Sequence, residues 1–502
     1  MRPCSRMRSP TLAVLLLATA SAAAQAPNWF DPTRIDDAPL APIVRTPHTG
    51  TYNGTAIAYD AIAGELPLTG ADGEPAATMF STAYVRTDVD ATGPRPVLFL
   101  FNGGPGASSS PLHLGVGPMR RPPDDSALDR GDALVPNPVS PIDAVDLVFV
   151  DPVGTGYTRL LKDGAGEQFW GIEQDADAVL HLIRDWRQRH GREDSPVYLM
   201  GESYGGTRAV VVAARAEGVD FDGLLLLSPA LDFSAGAQVI GNNLPYMALV
   251  PSMAATAAYH GVIERAGRSY LEIFDAAAAY AQSDYAAALY QGNRIDPDEK
   301  GRVGQRLAEL IGLPAGFILD SNLRVDRDEF ADRLLGDAGL RIGRLDARAT
   351  GLIAEYKDQR PPGDDPSMSG NRDGGRGTGE LLDEYFAERL EVRIERPYRT
   401  LNLHLNQQWD YGQKGPLKTY FSVAPQLQEA MQRDPALRVY IGGGVFDMGT
   451  PIMAARYTAS QVDVDPGRFV FAAYEGGHTV FEHEESRSAL CEDIRRFVRA
   501  AP

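Results

Sequence analysis

The stretch Pro196-Val-Tyr-Leu-Met-Gly-Glu-Ser-Tyr-Gly-Gly206 constrains this chain more than any other. Val197 to Met200 is a short apolar run of β-favouring residues. Gly201-Glu202-Ser203-Tyr204-Gly205 reads G-x-S-x-G, and the alanine- and valine-rich run after it has helical composition. Strand, tight turn, helix is the setting in which G-x-S-x-G presents a serine on a strained corner. The flanking glycines are needed sterically, because side chains there would collide with the neighbouring strand and helix. With 51 glycines in 502 residues, a bare G-x-S-x-G arises by chance in roughly one such chain in four. The flanking pattern therefore carries the reading.

Other apolar runs extend the pattern in both directions. Pro96-Val-Leu-Phe-Leu-Phe101, Asp146-Leu-Val-Phe-Val150 and Leu224 to Leu227 read as strands buried on both faces. Ala176, Val179, Leu180, Ile183 and Trp186 fall at helical spacing between charged residues, giving an amphipathic crossover helix. Gly50 to Tyr59 and Thr78 to Thr87 flank the turn Ala71-Asp72-Gly73 and predict an antiparallel pair at the sheet edge. Alternating strands and helices imply a mainly parallel sheet covered on both faces. The rhythm breaks after about residue 235, and Arg360 to Gly379 has the composition of a flexible loop. It resumes with strands at Arg438–Ile441 and Arg468–Tyr474 and a closing helix that aligns Leu490, Ile494, Phe497 and Val498. The expected organisation is an α/β core over 25–235 and 431–502, with a mainly helical cap inserted at 236–430.

The first 24 residues read as a signal peptide. Arg2, Arg6 and Arg8 precede an apolar run from Leu12 to Ala18, and Ala22-Ala23-Ala24 offers an A-x-A cleavage site. The run is too short to span a bilayer. Secretion or export to a bacterial periplasm is the expectation, with no stable membrane insertion. The balance of 48 basic against 67 acidic residues, net −19, argues against nucleic acid as a partner. Of the two cysteines, Cys4 precedes the cleavage site and Cys491 is left alone, so no disulfide is expected in the mature chain. No Cys/His cluster suggests a metal, and no cofactor is expected.

In an open parallel sheet, ligands bind beyond the carboxyl ends of the strands. Ser203, Asp447 and His478 stand at three such ends, and their order, Ser then Asp then His, is that of the α/β-hydrolases. A serine hydroxyl needs a base to take its proton, and imidazole titrates near neutrality. Asp447 would hold the tautomer and stabilise the imidazolium. Asp463 and Asp465 are rival acids and His483 a rival base, but no glycine turn presents them. The N–H of Tyr204 and the glycine-rich loop Asn102-Gly-Gly-Pro-Gly are candidate oxyanion donors. A phosphate cradle is disfavoured, since the loop lacks the Lys-Ser/Thr of a P-loop.

Asn102-Gly-Gly-Pro-Gly-Ala-Ser-Ser, Asp151-Pro-Val-Gly-Thr-Gly-Tyr, Gly201-Glu-Ser-Tyr-Gly-Gly, Phe446-Asp-Met-Gly-Thr-Pro and Glu475-Gly-Gly-His together resemble the serine carboxypeptidases. These are secreted or vacuolar α/β-hydrolases that remove residues one at a time from peptide C-termini. The resemblance implies a Ser203, Asp447, His478 triad, oxyanion N–H groups from Gly104 and Tyr204, and Asn102 and Glu202 as ligands of the substrate's terminal carboxylate. The expected partner is a peptide or small acyl substrate. The chain departs from the family pattern at Ala107, where a cysteine is usual, and at Gly115, near which a further carboxylate-binding glutamate aligns. The alternatives are an esterase or acyltransferase on the same scaffold, or a secreted peptide-binding protein without catalysis.

Overall fold

The computed structural model describes residues 35–500, apart from residues 37, 90–93, 123–132, 357, 360–361, 369–376 and 413–419. The N-terminal apolar run with its Ala22-Ala23-Ala24 site, Cys4, and much of the 360–379 stretch lie outside the described residues. Nine strands form one sheet: β1 (Val44–Tyr52), β2 (Thr55–Thr69), β3 (Pro75–Arg86), β4 (Val97–Phe101), β5 (Asp146–Asp151), β6 (Val197–Glu202), β7 (Gly223–Leu227), β8 (Arg438–Gly444) and β9 (Phe469–Tyr474). Their spatial order is β1-β2-β3-β5-β4-β6-β7-β8-β9. The first three are antiparallel, and every pairing from β5 to β9 is parallel. This is the α/β-hydrolase fold.

The antiparallel edge differs from the pair expected from sequence. Asn53 and Gly54, at φ 48° and 75°, turn the chain within the first stretch and make two strands of it. Positive φ at both central residues is the hairpin turn that Asn-Gly favours. The Ala71-Asp72-Gly73 turn joins β2 to β3.

Period-two alternation puts successive strand residues on opposite faces. Val197, Leu199, Leu224 and Leu226 pack in one core with helices α2 (Ile172–Arg189) and α3 (Tyr204–Arg215), which follow the short helix α1 (Ser110–Val116) in the chain. Tyr198, Met200, Leu225 and Leu227 pack in the other, with the C-terminal helix Glu484–Arg499. Each fully buried leucine contributes about 1.5–3 kcal/mol, which is why these runs carry no polar residue. All five predicted α2 positions, Ala176 to Trp186, are buried.

Between β7 and β8 the chain is mainly helical, and it packs in two ways. Residues from Ala235 to Ala347 build a separate apolar cluster against Val445, Phe446 and Ile452. The helices Thr378–Glu388 and Ala424–Arg433 instead bury Leu382, Phe386, Leu427 and Met431 against the two sheet cores. Among the described residues no helix is long and apolar enough to cross a membrane. Cys491 is free and buried.

Candidate active site

β6 ends at Glu202 and α3 begins at Tyr204, leaving Ser203 on the corner at φ 60°, ψ −126°. That region is strained for any residue with a side chain. Three backbone bonds hold it: Ser203 N donates to Leu227 O, while Gly206 N and Ala230 N donate to Ser203 O. The glycine requirement is explicit here. A Cβ at Gly201 would lie 2.0 Å from Gly205 O, and one at Gly205 would lie 2.5 Å from Phe101 O.

Parallel pairing places the ends of β6, β7, β8 and β9 side by side, and the loops leaving β8 and β9 meet. His478 Nδ1 donates to Asp447 Oδ2 at 2.8 Å. Asp447 is fully buried, and its Oδ1 accepts from Gly449 N at 2.7 Å and Thr450 N at 3.0 Å. Thr450 Oγ1 lies 2.8 Å from Asp447 Oδ2, 2.8 Å from the Ser228 carbonyl and 3.0 Å from His478 Nδ1. Ser228 Oγ donates to the His478 carbonyl at 2.8 Å. The Ser203 corner is thus tied through β7 to both loops. No hydrogen bond joins Ser203 Oγ to the imidazole among the described residues; such contacts are commonly long before substrate binds.

Electrostatics favour a charged imidazole. Burial lowers the His478 pKa, but Asp447, and then Glu202 and Glu482, outweigh it and hold the ring at about 9. Glu202 is 2% exposed, and burial lifts its pKa to about 7, against the opposing charge of His478 and with Glu482 adding to the rise. Asn102 Nδ2 donates to Glu202 Oε2, and Glu202 Oε1 is buried without a hydrogen-bond partner. Asn102 Oδ1 in turn accepts from Leu112 N at 3.2 Å, which orients the amide. Asn102 and Glu202 are therefore a matched pair with one polar oxygen unspent.

The loop after β4 presses on α3. A Cβ at Gly103 would lie 2.4 Å from Tyr204 N, and Gly104 stands at φ 100°. Tyr204 is the first residue of α3, so its N–H has no intrahelical acceptor. Residues 399–406 brace the loop from outside: Asn402 N donates to Gly106 O at 2.8 Å and Asn406 Nδ2 to Pro105 O at 3.1 Å. Beneath it, Arg208 donates through Nη1 to Asn102 O and pairs with Asp175 at 2.5 Å, both side chains buried.

The rivals stand apart. Asp463 and Asp465 are exposed, and Asp465 only caps the turn at Gly467 N. His483 pairs with Glu485 at 3.2 Å on the surface. Of the aromatic residues near the site, Trp409 donates to Tyr204 OH at 3.0 Å and Tyr411 packs edge-on to Tyr204 and Phe233. Sequence reasoning missed Thr450, Glu482 and the Arg208–Asp175 pair. Only the Thr450 position, within Phe446-Asp-Met-Gly-Thr-Pro, carried a signal. Among the described residues no three His, Cys, Asp or Glu side chains are grouped to hold a metal ion.

Residues 77–272 match the serine carboxypeptidase family. The matched segment carries Asn102, Gly104, Glu202, Ser203 and Tyr204, while Asp447 and His478 lie beyond it. Similar solved structures include a thermostable carboxyl esterase from Bacillus coagulans, at 14% identity and TM-score 0.37, covering 87% of this chain and 97% of that one. A proline iminopeptidase from Mycobacterium smegmatis aligns at 13% identity and TM-score 0.35, covering 86% and 98%. A peroxisomal α/β-hydrolase from Saccharomyces cerevisiae aligns at 12% and 0.37, covering 93% and 92%. No curated protein matches the chain. Family segment and sheet topology together make the chain a hydrolase of the α/β-hydrolase superfamily.

Proposed function

We propose that the chain is an exported serine carboxypeptidase that cleaves the last peptide bond of substrates with a free C-terminus. The observation that carries this reading is the Asn102–Glu202 pair immediately beside Ser203, with an unspent buried oxygen. A protonated Glu202 and the Asn102 amide would receive the terminal carboxylate. Ser203 Oγ would attack the adjacent carbonyl as His478 takes its proton, with Asp447 stabilising the imidazolium. Gly104 and Tyr204 N–H groups would hold the oxyanion, each such donor being typically worth about 3 kcal/mol in the transition state. His478 then passes its proton to the leaving amino acid, and water hydrolyses the acyl-enzyme.

A second reading, a broader esterase or acyltransferase, is favoured by one observation. Gly115 stands near where the family's further carboxylate-binding glutamate aligns, and a Cβ there would lie 2.1 Å from the Phe481 ring. Phe481 fills that space, so no third carboxylate can stand at 115. Peptides offered as free acid and as C-terminal amide, with products followed by mass spectrometry, separate the readings. One-residue ladders from the acid alone support the carboxypeptidase. Equal cleavage of acid and amide supports the broader enzyme. Failure of a fluorophosphonate to label Ser203 overturns both. Export is tested by N-terminal sequencing of the mature protein, which should begin after Ala24.

A further inference from the structure

A short piece of the inserted region is built into the acid–base loops themselves. Met448 N donates to Arg344 O at 3.0 Å, Ala347 N to Phe446 O at 3.0 Å, and His478 N to Leu345 O at 2.6 Å. Residues 344–347 thus strap the loop carrying Asp447 to the loop carrying His478. The fit is close on both sides. A Cβ at Gly449 would lie 2.7 Å from the Leu345 side chain, and one at Gly477 would lie 2.6 Å from Asp346 Cβ.

One buried carboxylate, Asp365, accepts from two backbone N–H groups of the strap. Asp365 Oδ1 accepts from Arg344 N at 2.9 Å, Ser367 N at 3.0 Å and Ser367 Oγ at 2.6 Å. Its Oδ2 accepts from Leu345 N at 3.3 Å and lies 3.6 Å from Arg344 Nε. The side chain is 1% exposed. A carboxylate can accept several backbone bonds at once, whereas an amide offers one oxygen. Such a group, desolvated and fully paired, is strongly orienting.

We propose that Asp365 is a positioning residue for the acid–base pair: by fixing the strap 344–347 it sets where His478 stands relative to Asp447. It touches neither the substrate nor the reacting atoms. The inference rests on the catalytic roles proposed above for Ser203, Asp447 and His478. The groups facing the imidazole are Asp447, Glu202 and Glu482, with Asp346 and Arg348 facing Glu482. A shift of the ring changes its distance to all of them, so its titration should move with the strap.

The test compares wild type with Asp365→Ala, Asp365→Asn and Ser367→Ala, with Asp364→Asn as a control on the outer partner of Arg344. Three quantities are read: kcat and KM on a free-acid peptide across pH, the rate of fluorophosphonate labelling of Ser203, and the downfield proton resonance of His478 Nδ1–H. Asp365→Ala should lower kcat about tenfold with KM within about twofold, move the acid limb of the profile, and shift or broaden the resonance. Asp365→Asn should recover part of the kcat, since one oxygen still accepts, and Asp364→Asn should match wild type. A folded Asp365→Ala protein with wild-type kcat, pH limb and resonance overturns the proposal. So does a loss of activity that leaves the pH limb and resonance unmoved, which would mark a merely structural role. Where Asp365→Ala does not fold, Ser367→Ala decides by the same readouts, because it removes a bond to Asp365 and the 3.2 Å contact to Leu345 N. If wild type itself fails to label, the catalytic reading falls separately. The resonance then still reports whether Asp365 orients the imidazole.

Discussion

Glu202→Gln isolates the buried carboxyl next to Ser203. Burial holds the Glu202 pKa at about 7 against an ordinary 4.5. At about 1.4 kcal/mol per pH unit, that interval is worth about 3 kcal/mol. The folded state holds this proton more tightly than the unfolded chain does. The contribution to stability is therefore fully present below pH 4.5 and lost as pH rises through about 7. On the carboxypeptidase reading the same proton would govern substrate binding. Below about pH 7 the carboxyl donates to a terminal carboxylate; above it two anions meet. The competent form keeps the Glu202 proton while His478, held at about 9, has lost its own, so on a free-acid peptide wild-type kcat/KM should fall by up to about tenfold per pH unit above about pH 9. Glutamine is a permanent donor, so the variant should lack that limb, and neither protein should show it on the amide. Removing the charge also lowers the His478 pKa from about 9, because Glu202 is one of the groups raising it, so the acid limb should move to lower pH. The two groups titrate as a linked pair, and the limbs belong to both. The assay is kcat/KM for matched acid and amide peptides from about pH 5 to about pH 11, with Tm by calorimetry over the same range. Superimposable acid-peptide profiles for the two proteins refute the reasoning, as does a wild-type Tm that does not fall relative to the variant between those limits.

The corner at Ser203 predicts that Ser203→Gly unfolds at higher Tm than Ser203→Ala, by about 1 kcal/mol of released strain net of glycine's entropy; equal Tm values would remove the strain argument. Both variants should be inactive and unlabelled by fluorophosphonate. Gly205→Ala should cost about 3 kcal/mol or more, since its Cβ would sit 2.5 Å from Phe101 O, and a soluble, active variant would contradict the geometry. Arg208→Leu or Asp175→Leu alone should destabilise by about 3–5 kcal/mol, and the double variant by less than either, as for a buried pair broken on one side or replaced whole. Chemical denaturation of the three proteins checks the order.

Much of the sheet was legible because its strands are buried on both faces and so read as unbroken apolar runs. The corner was legible because two steric conflicts leave only glycine at 201 and 205. Asp447 and His478 could be singled out by place alone, each just past a strand end in a glycine turn. The antiparallel edge was misread by one strand: β-favouring residues on both sides of Asn53-Gly54 mask the turn between them. Asp365 had no signal at all. It lies among prolines, glycines and aspartates whose composition reads as loop, yet its carboxylate is buried by contacts with residues twenty positions away. Arg208 and Asp175 were equally hidden, since a charged residue on a helix ordinarily faces solvent and their meeting depends on how α2 packs on α3.

The strap at 344–347 changes what the inserted region is. A lid that merely covers a cleft can be trimmed, exchanged or reshaped by an engineer while the machinery below keeps running. Here four residues of that region join the loop carrying Asp447 to the loop carrying His478. Replacing the stretch between β7 and β8 without those four residues would remove the three backbone bonds that tie the loop carrying Asp447 to the loop carrying His478.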